Sequence, residues 1–528
     1  MSNIIGRKQE QEELMRLYHL HQAQLVAVYG RRRVGKTFLV REVFKNRFAF
    51  YHTGLSPVEL KGKSLLSAQL LAFHSSLVLY GLEATTPPSN WQEAFDRLRT
   101  LLLQKDTDER QVVFIDEMPW MDTQRAGFIT AFEHFWNGWG AEQDQLLLIV
   151  CGSATSWIKD NLINSYGGLY DRVNAELQLS PFTLSETERL LTQQGVTMSR
   201  YDILQLYMTL GGIPMYISYV RPGLSLAQTI DNLFFSKKAK LKMEFTRLFN
   251  SIFSSPERYK TVVTLLARHR QGCSREEISQ QTGIESGKGL TTLLRTLEAS
   301  DFIECYRPFG NSKRQLLYRL TDPFCLFYLE QVEGKGRSHT FWQDHENLPQ
   351  LNTWRGRAFE NACLVHLEGV KRALGITGVA CEASGWNLQG TDEHPGMQID
   401  LIISREDRVV NVCEMKFVNA PFSVSNDYEQ TLCTRLNWIS GQMGKRQNRT
   451  DDLSDHLRPQ AGYPQWCLPA GRHPGRLVRM SLLLPIFIVR LPKIRSISAR
   501  NDTSKHFLLT RNVFFPPHRP LLPTFAAD

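Results

Sequence analysis

The feature that most constrains this chain is a junction. "AQLVAVYG" (Ala23–Gly30) is an apolar, β-branched run ending in glycine; "RRRVGKT" follows at once, and "FLVREVF" continues from it. The first segment reads as a buried strand and the last as an amphipathic helix. Between them the spacing is GxxxxGK[ST], in the strand–loop–helix context that this motif requires. Gly30 and Gly35 let the backbone turn its N–H groups inward, with Arg31, Arg32, Arg33 and Val34 carried on the turn. Lys36 supplies a point charge, and Thr37 a hydroxyl at a helix N-terminus, where anions are favoured. Such a loop fits the phosphates of ATP, with Thr37 placed for Mg²⁺. A chance glycine-rich turn is the bland alternative, and the context argues against it.

A second strand supports the first. "RQVVFIDEMPWM" has four apolar residues closing on Asp116 and Glu117. Burying unpaired carboxylates is costly, so a buried strand ending in two acids calls for a chemical reason. Asp116 suits an outer-shell Mg²⁺ ligand, and Glu117 suits the base that orients an attacking water. A third strand, "QLLLIVCGSAT", brings Ser153 to the level of a γ-phosphate. The same serine also reads as an N-cap for the helix beginning near Trp157.

Together "IIGRKQEQEEL", "GRRRVGKT", "FIDEMPWM", "VCGSATSWI", "LYDRVNAELQLSPFTLSE" and "GGIPMYI" resemble the archaeal-type ATPase family, a branch of the AAA-like and STAND-like P-loop ATPases. The resemblance spans roughly residues 1–440. It implies an α/β fold: a P-loop ATPase core (1–180) with a parallel sheet of the additional-strand type, where Asp116 lies on a strand not adjacent to the loop's own. A helical lid (181–244) containing "GGIP" (Gly211–Pro214) would follow. The resemblance also makes Arg172 a candidate γ-phosphate contact, from its own subunit or, in a homo-oligomer, from a neighbouring one. A surface arginine in an ion pair is the competing reading.

From Phe245 the pattern changes. "RYKTVVTLLARHR", "SREEISQQTG" and "ESGKGLTTLLRTLEAS" read as three helices, the third with Leu290, Leu293, Leu294 and Leu297 on one face. "DFIECYRPFGNSKRQLLYRLTD" then gives two β runs around a "GNSKR" turn. Three helices and a hairpin make a winged helix-turn-helix over 245–335, as the family carries. Lys288 and Arg295 would face a DNA groove, with Lys313 and Arg314 on the wing. Many winged helices instead only pack on neighbouring domains.

Beyond "WRGRAFENAC", Gln398–Ile403 alternates as a strand, "SREDR" turns, and Val409–Phe417 returns. This places Asp400 on one arm and Glu414 and Lys416, two apart, on one face of the other. Two carboxylates and a lysine suit a Mg²⁺-dependent phosphodiesterase, and equally an ordinary Glu/Lys surface face. The arrangement resembles a PD-(D/E)XK nuclease-like α/β domain over 350–446, in which Glu360 matches the acid that often completes the site.

Charge locates a discontinuity. The formal net charge is +9, and residues 441–528 hold 14 Lys/Arg against 5 Asp/Glu, so residues 1–440 are balanced. The basic excess is therefore no argument for DNA binding. No Glu follows Glu429, and residues 447–528 hold 10 of the 23 prolines. One inserted base near the Arg446–Gln447 codons accounts for this, which predicts an irregular tail over 447–528 and an incomplete nuclease-like domain. Nine scattered cysteines without a CxxC pair, no apolar N-terminal run and no long apolar span predict a cytoplasmic protein without a membrane partner. Two functions fit: an ATPase coupled to DNA through the winged helix and nuclease-like module, or a STAND-like switch whose C-terminal domain binds a partner without cleavage.

Overall fold

The computed structural model describes residues 4–56, 65–105, 109–164, 167–253, 255–310, 315–346, 348–388, 396–407, 409–418, 425–428, 430–432, 434–435, 438–439, 477–479 and 485–492. The chain forms two compact units, 1–306 with 316–362 and 307–315 with 363–528.

The first unit is built on strands β1 (Gln24–Tyr29), β2 (Phe50–Thr53), β3 (Gln111–Asp116), β4 (Leu146–Gly152) and β5 (Ala175–Gln178). They form one parallel sheet in the order β2-β3-β4-β1-β5. Every residue of β1 and β4 is buried, the signature of central strands covered on both faces. β4 lies between β1 and β3, so Asp116 is on a strand not adjacent to the loop's own, as the family resemblance implies. Registry sets the ends level: Tyr29 pairs with Gly152, Ile115 with Val150, and Thr53 with Asp116. The loop after β1, the two acids at the end of β3 and the serine after β4 therefore emerge at one sheet edge. Phe50, Phe73, Trp91, Phe95, Phe128 and Phe132 fill one face, each essentially fully buried. Burying a side chain of this size contributes roughly 1.5–3 kcal/mol, so the edge stands on a rigid base.

The same unit continues with helices Leu184–Gln193 and Arg200–Leu210, started by Thr183 and Ser199 side-chain caps. Helices Pro256–Arg268, Arg275–Thr282 and Lys288–Ala299 follow, the last burying Leu290, Leu293, Leu294 and Leu297 as its periodicity predicts. β6 (Ile303–Tyr306) and β7 (Leu317–Leu320) then pair antiparallel, and Cys273 bridges to Tyr318 on the free side of β7. Lys313 and Arg314 lie outside the described residues. Among the described residues no helix is long and apolar enough to cross a membrane.

The second unit carries β8 (Cys381–Leu388), β9 (Met397–Arg405), β10 (Val409–Met415), β11 (Leu477–Arg479) and β12 (Pro485–Pro492), in the antiparallel order β11-β12-β10-β9-β8. Ile399, Ile402, Val410, Val412 and Ile439 form its core. The two last strands correct the expectation of an irregular tail. β12 pairs along the whole of β10, from Val409–Pro492 to Met415–Ile486. The physical reason is local. "PIFIVRLP" is β-branched and apolar, with its prolines only at the ends, where a strand tolerates them. Averaging composition over the tail hid that run. The remainder of 447–528 lies outside the described residues.

Candidate functional site

The loop after β1 is held by close backbone approach. Gly30 has φ 136°, and a Cβ there would lie 2.2 Å from the Leu179 carbonyl oxygen. Gly35, at φ 93°, ends the turn and starts the helix Lys36–Val43. Lys36 is buried, and its Nζ donates to Gly30 O (2.9 Å), Arg31 O (3.0 Å) and Ser153 Oγ (3.2 Å). All three acceptors are uncharged, so no carboxylate competes for the ammonium among these partners. Thr37 Oγ1 donates to Asp116 Oδ2 at 2.8 Å. Burial raises the Asp116 carboxyl above its usual range, the neighbouring Glu117 adds to this, and the Thr37 bond opposes it.

Glu117 adopts the left-handed conformation (φ 48°, ψ 43°), which is uncommon for a residue with a Cβ and is the kind of local strain found at functional positions. The bend turns its carboxylate toward β4. Ser153 Oγ donates to Glu117 Oε1 at 2.6 Å and Ser153 N to Glu117 Oε2 at 3.1 Å. Gly152 permits this approach: a Cβ there would lie 2.6 Å from Pro119 Cδ. Ser153 does not cap the next helix, Thr155–Ile158, whose cap position is Ala154. The structure thus brings Lys36, Thr37, Asp116, Glu117 and Ser153 into one hydrogen-bonded set.

The three loop arginines leave that set in three directions. Arg31 is buried, forms an ion pair with the buried Asp322 and lies 4.6 Å from the Phe302 ring centroid. Arg32 stands 5.6 Å from the Trp120 ring centroid. Arg33 pairs with the buried Glu244, which also accepts from Tyr216 Oη at 2.8 Å. Sequence reading missed Glu244 and Asp322. "DP" at Asp322 signals only a helix start, and Glu244 carries no motif. Arg172 is exposed just before β5, and its backbone N donates to Leu169 O at 3.1 Å. Arg295, expected at a DNA groove, is exposed and pairs with Asp160 at 2.7 Å, on the segment that follows β4. Lys288 is exposed at the start of the same helix.

The second unit holds the other acids. Glu414, on β10, is buried. Its carboxylate takes Lys416 Nζ (2.9 Å), Tyr428 Oη (2.6 Å) and Arg435 (3.1 Å). Asp400, on β9, accepts from Met415 N at 2.9 Å and from Gln398 Nε2 at 3.1 Å. Burial works against the Lys416 charge, but the Glu414 bond and the surrounding negative groups hold its ammonium above the usual lysine range. Glu360 falls in the first unit, where its carboxylate accepts from Arg270 Nε at 2.8 Å. Among the described residues no cluster of three or more His, Cys, Asp or Glu is placed to hold a metal ion.

A glycine-rich turn closing on a lysine, with an Asp–Glu pair at the end of the next strand but one, defines a P-loop ATPase. Residues 5–220 match the family described as an ATPase domain predominantly from Archaea, and the chain carries that archaeal-type ATPase domain. An uncharacterized protein of Methanocaldococcus jannaschii is 22% identical over 421 residues, covering 78% of this chain and 87% of its own. An uncharacterized ATP-binding protein of the same organism is 44% identical over 44 residues, 8% of this chain and 75% of its own. Among solved structures, a Walker-type ATPase of Pyrococcus abyssi aligns with 62% of this chain and 96% of its own, at 18% identity and a TM-score of 0.41. The ORC2 protein of Aeropyrum pernix, in ADPNP–ADP complexes, aligns with 62% and 94%, at 13% identity and a TM-score of 0.40.

Proposed function

We propose that this chain binds ATP with Mg²⁺ on Gly30–Thr37, hydrolyses it, and couples the cycle to a DNA-linked module formed by its later segments. The observation that carries the reading is the set Lys36–Ser153–Glu117, with Thr37 and Asp116 beside it. Lys36 is already at the phosphate cradle, and its present partners are neutral oxygens that a phosphate would outcompete. Thr37 and Asp116 offer a hydroxyl and a carboxylate 2.8 Å apart, a hard-oxygen pair that suits Mg²⁺. These two would hold the ion, which supplies charge neutralisation for the phosphates when bound. Glu117 would orient the attacking water, Ser153 would contact the γ-phosphate, and Arg172 would complete the site from its own or a second copy.

Residues 245–335 fit a winged helix: three helices, a β6–β7 hairpin, and the Cys273–Tyr318 bridge as a minimal third strand. Residues 350–446 fit a PD-(D/E)XK-like domain, with Asp400 on β9 and Glu414 and Lys416 at the end of β10. A second reading, an ATP-dependent switch without cleavage, is favoured by Glu414, whose charge is met by Lys416 and Arg435. ATP turnover measured with and without duplex DNA, beside a Mg²⁺ or Mn²⁺ nicking assay, tests both. DNA-stimulated turnover supports coupling; nicking supports the nuclease; turnover indifferent to DNA, with no nicking, supports the switch. Failure to bind ATP overturns both readings.

A further inference from the structure

Arg31 belongs to two parts of the first unit at once. Its carbonyl accepts from Lys36 Nζ at 3.0 Å, while its side chain ends on Asp322 beyond the β6–β7 hairpin, 291 residues away in sequence by the numbering. Asp322 is itself fixed. Its Oδ1 accepts from Cys325 N at 2.6 Å as the cap of the helix Pro323–Phe327, and its backbone N donates to Phe302 O at 3.2 Å. Phe302 in turn lies under the Arg31 guanidinium. Both charged groups are almost wholly excluded from water, at 0% and 1% side-chain exposure. Two residues further along the loop, Arg33 repeats the pattern with Glu244, whose side chain is 2% exposed and braced by Tyr216. The Arg295–Asp160 pair, at 57% and 41% exposure, is of the exposed kind that contributes little.

We propose that Asp322 and Glu244, outside the ATPase core, are positioning residues for the phosphate-binding loop, so that the nucleotide site is complete only with the hairpin segment packed against it. The inference rests on the ATP-binding reading above. A buried guanidinium without its carboxylate must find another partner, and a turn of Arg31 toward Cys325 or the nearby Asp301 would pull on the loop that carries the Lys36 acceptor. A nucleotide that reorganises Lys36 must likewise act on Asp322, because coupling between two sites is reciprocal. The P-loop is thereby the joint between nucleotide and winged-helix segment.

The test uses the full chain and measures affinity for a fluorescent ATP analogue with Mg²⁺, thermal unfolding, and amide exchange over 302–327. Asp322→Asn breaks the buried pair. The double variant Arg31→Met/Asp322→Asn removes both charges and keeps a side-chain oxygen to cap Cys325 N, and loss of both members of a buried pair is commonly tolerated in stability. The expected result is a double variant that unfolds near the wild-type temperature yet binds nucleotide on the order of tenfold more weakly. Nucleotide should slow amide exchange over 302–327 in the wild type and not in the double variant. Glu244→Gln, beside the partly exposed Arg33, gives a second and milder arm should the first variants not fold, with weakened affinity again expected. Wild-type affinity in a folded variant of both pairs overturns the proposal. A wild-type chain that binds no nucleotide overturns the ATPase reading instead.

Discussion

The nucleotide cradle of the first unit and the acid–lysine cluster of the second are built from similar side chains and treat charge in opposite ways. In the first, Lys36 rests on two carbonyls and a hydroxyl, and Asp116 and Glu117 meet the hydroxyls of Thr37 and Ser153. In the second, Glu414 is bound by Lys416, Arg435 and Tyr428 together. Neutral partners leave a charge with unspent attraction for an incoming ligand. Charged partners consume it. Similar residues can therefore make a site poised for a ligand or a folded-in strut, and the sequence motif alone does not distinguish them.

The comparison breaks most sharply at the cradle. Lys36→Ala should abolish nucleotide binding, measured by titration, whereas Glu117→Gln should bind normally and lose turnover by about 100-fold or more. Wild-type hydrolysis in Glu117→Gln would remove Glu117 from the chemistry. Acid should act next. His52 on β2 is buried, and burial lowers its imidazole to about 4 from the ordinary 6.5. Between those values the unfolded chain binds a proton that the folded one refuses, so stability falls as pH drops from about 6.5 toward 4, by up to ~3 kcal/mol. Denaturant melts over this range should show the slope, and His52→Gln should flatten it; an unchanged slope would clear His52.

Ligand stabilisation is comparable in size and separates the two regions directly. MgATP at 100 times its dissociation constant should stabilise the first unit by about 2.7 kcal/mol. Mg²⁺ or Mn²⁺ alone should leave the second unit unmoved, and a metal-induced rise in its melting temperature would contradict the strut description. The smallest expected effect is Arg435→Met, which removes one of three partners from buried Glu414. With Lys416 and Tyr428 still in place, it should cost about 1 kcal/mol in the second unit and open the cluster to Mn²⁺, read by calorimetric titration.

What was legible in the sequence is what short-range patterns encode. Strand runs ending in glycine or acids placed β1, β3 and β4, and helical spacing placed the leucines of Lys288–Ala299. The destinations of Arg31 and Arg33 were not legible, because an ion pair across hundreds of residues leaves no periodicity. Nor was the Arg295–Asp160 pair, since a cation on an outward helix face looks the same whether it awaits DNA or a neighbouring helix. In the tail, charge and proline content described the average, while pairing required only the eight residues of β12. The frameshift reading remains a statement about the gene: internal stops in the codons of Gln447–Met480, read one base over, would end it.

The position of β4 has one more consequence. It sets Ser153 between Lys36 and Glu117, and a hydroxyl carries a single hydrogen. That hydrogen is now given to Glu117 at 2.6 Å, while Lys36 occupies an oxygen lone pair. A γ-phosphate oxygen only accepts, so it could claim the hydrogen only by taking it from Glu117. The amide of Ser153, 3.1 Å from the other carboxylate oxygen, would then hold Glu117 as a pivot rather than a clamp. A diphosphate makes no such claim. Under the ATP-binding proposal, that one proton, indivisible between two acceptors, would let Ser153 tell three phosphates from two.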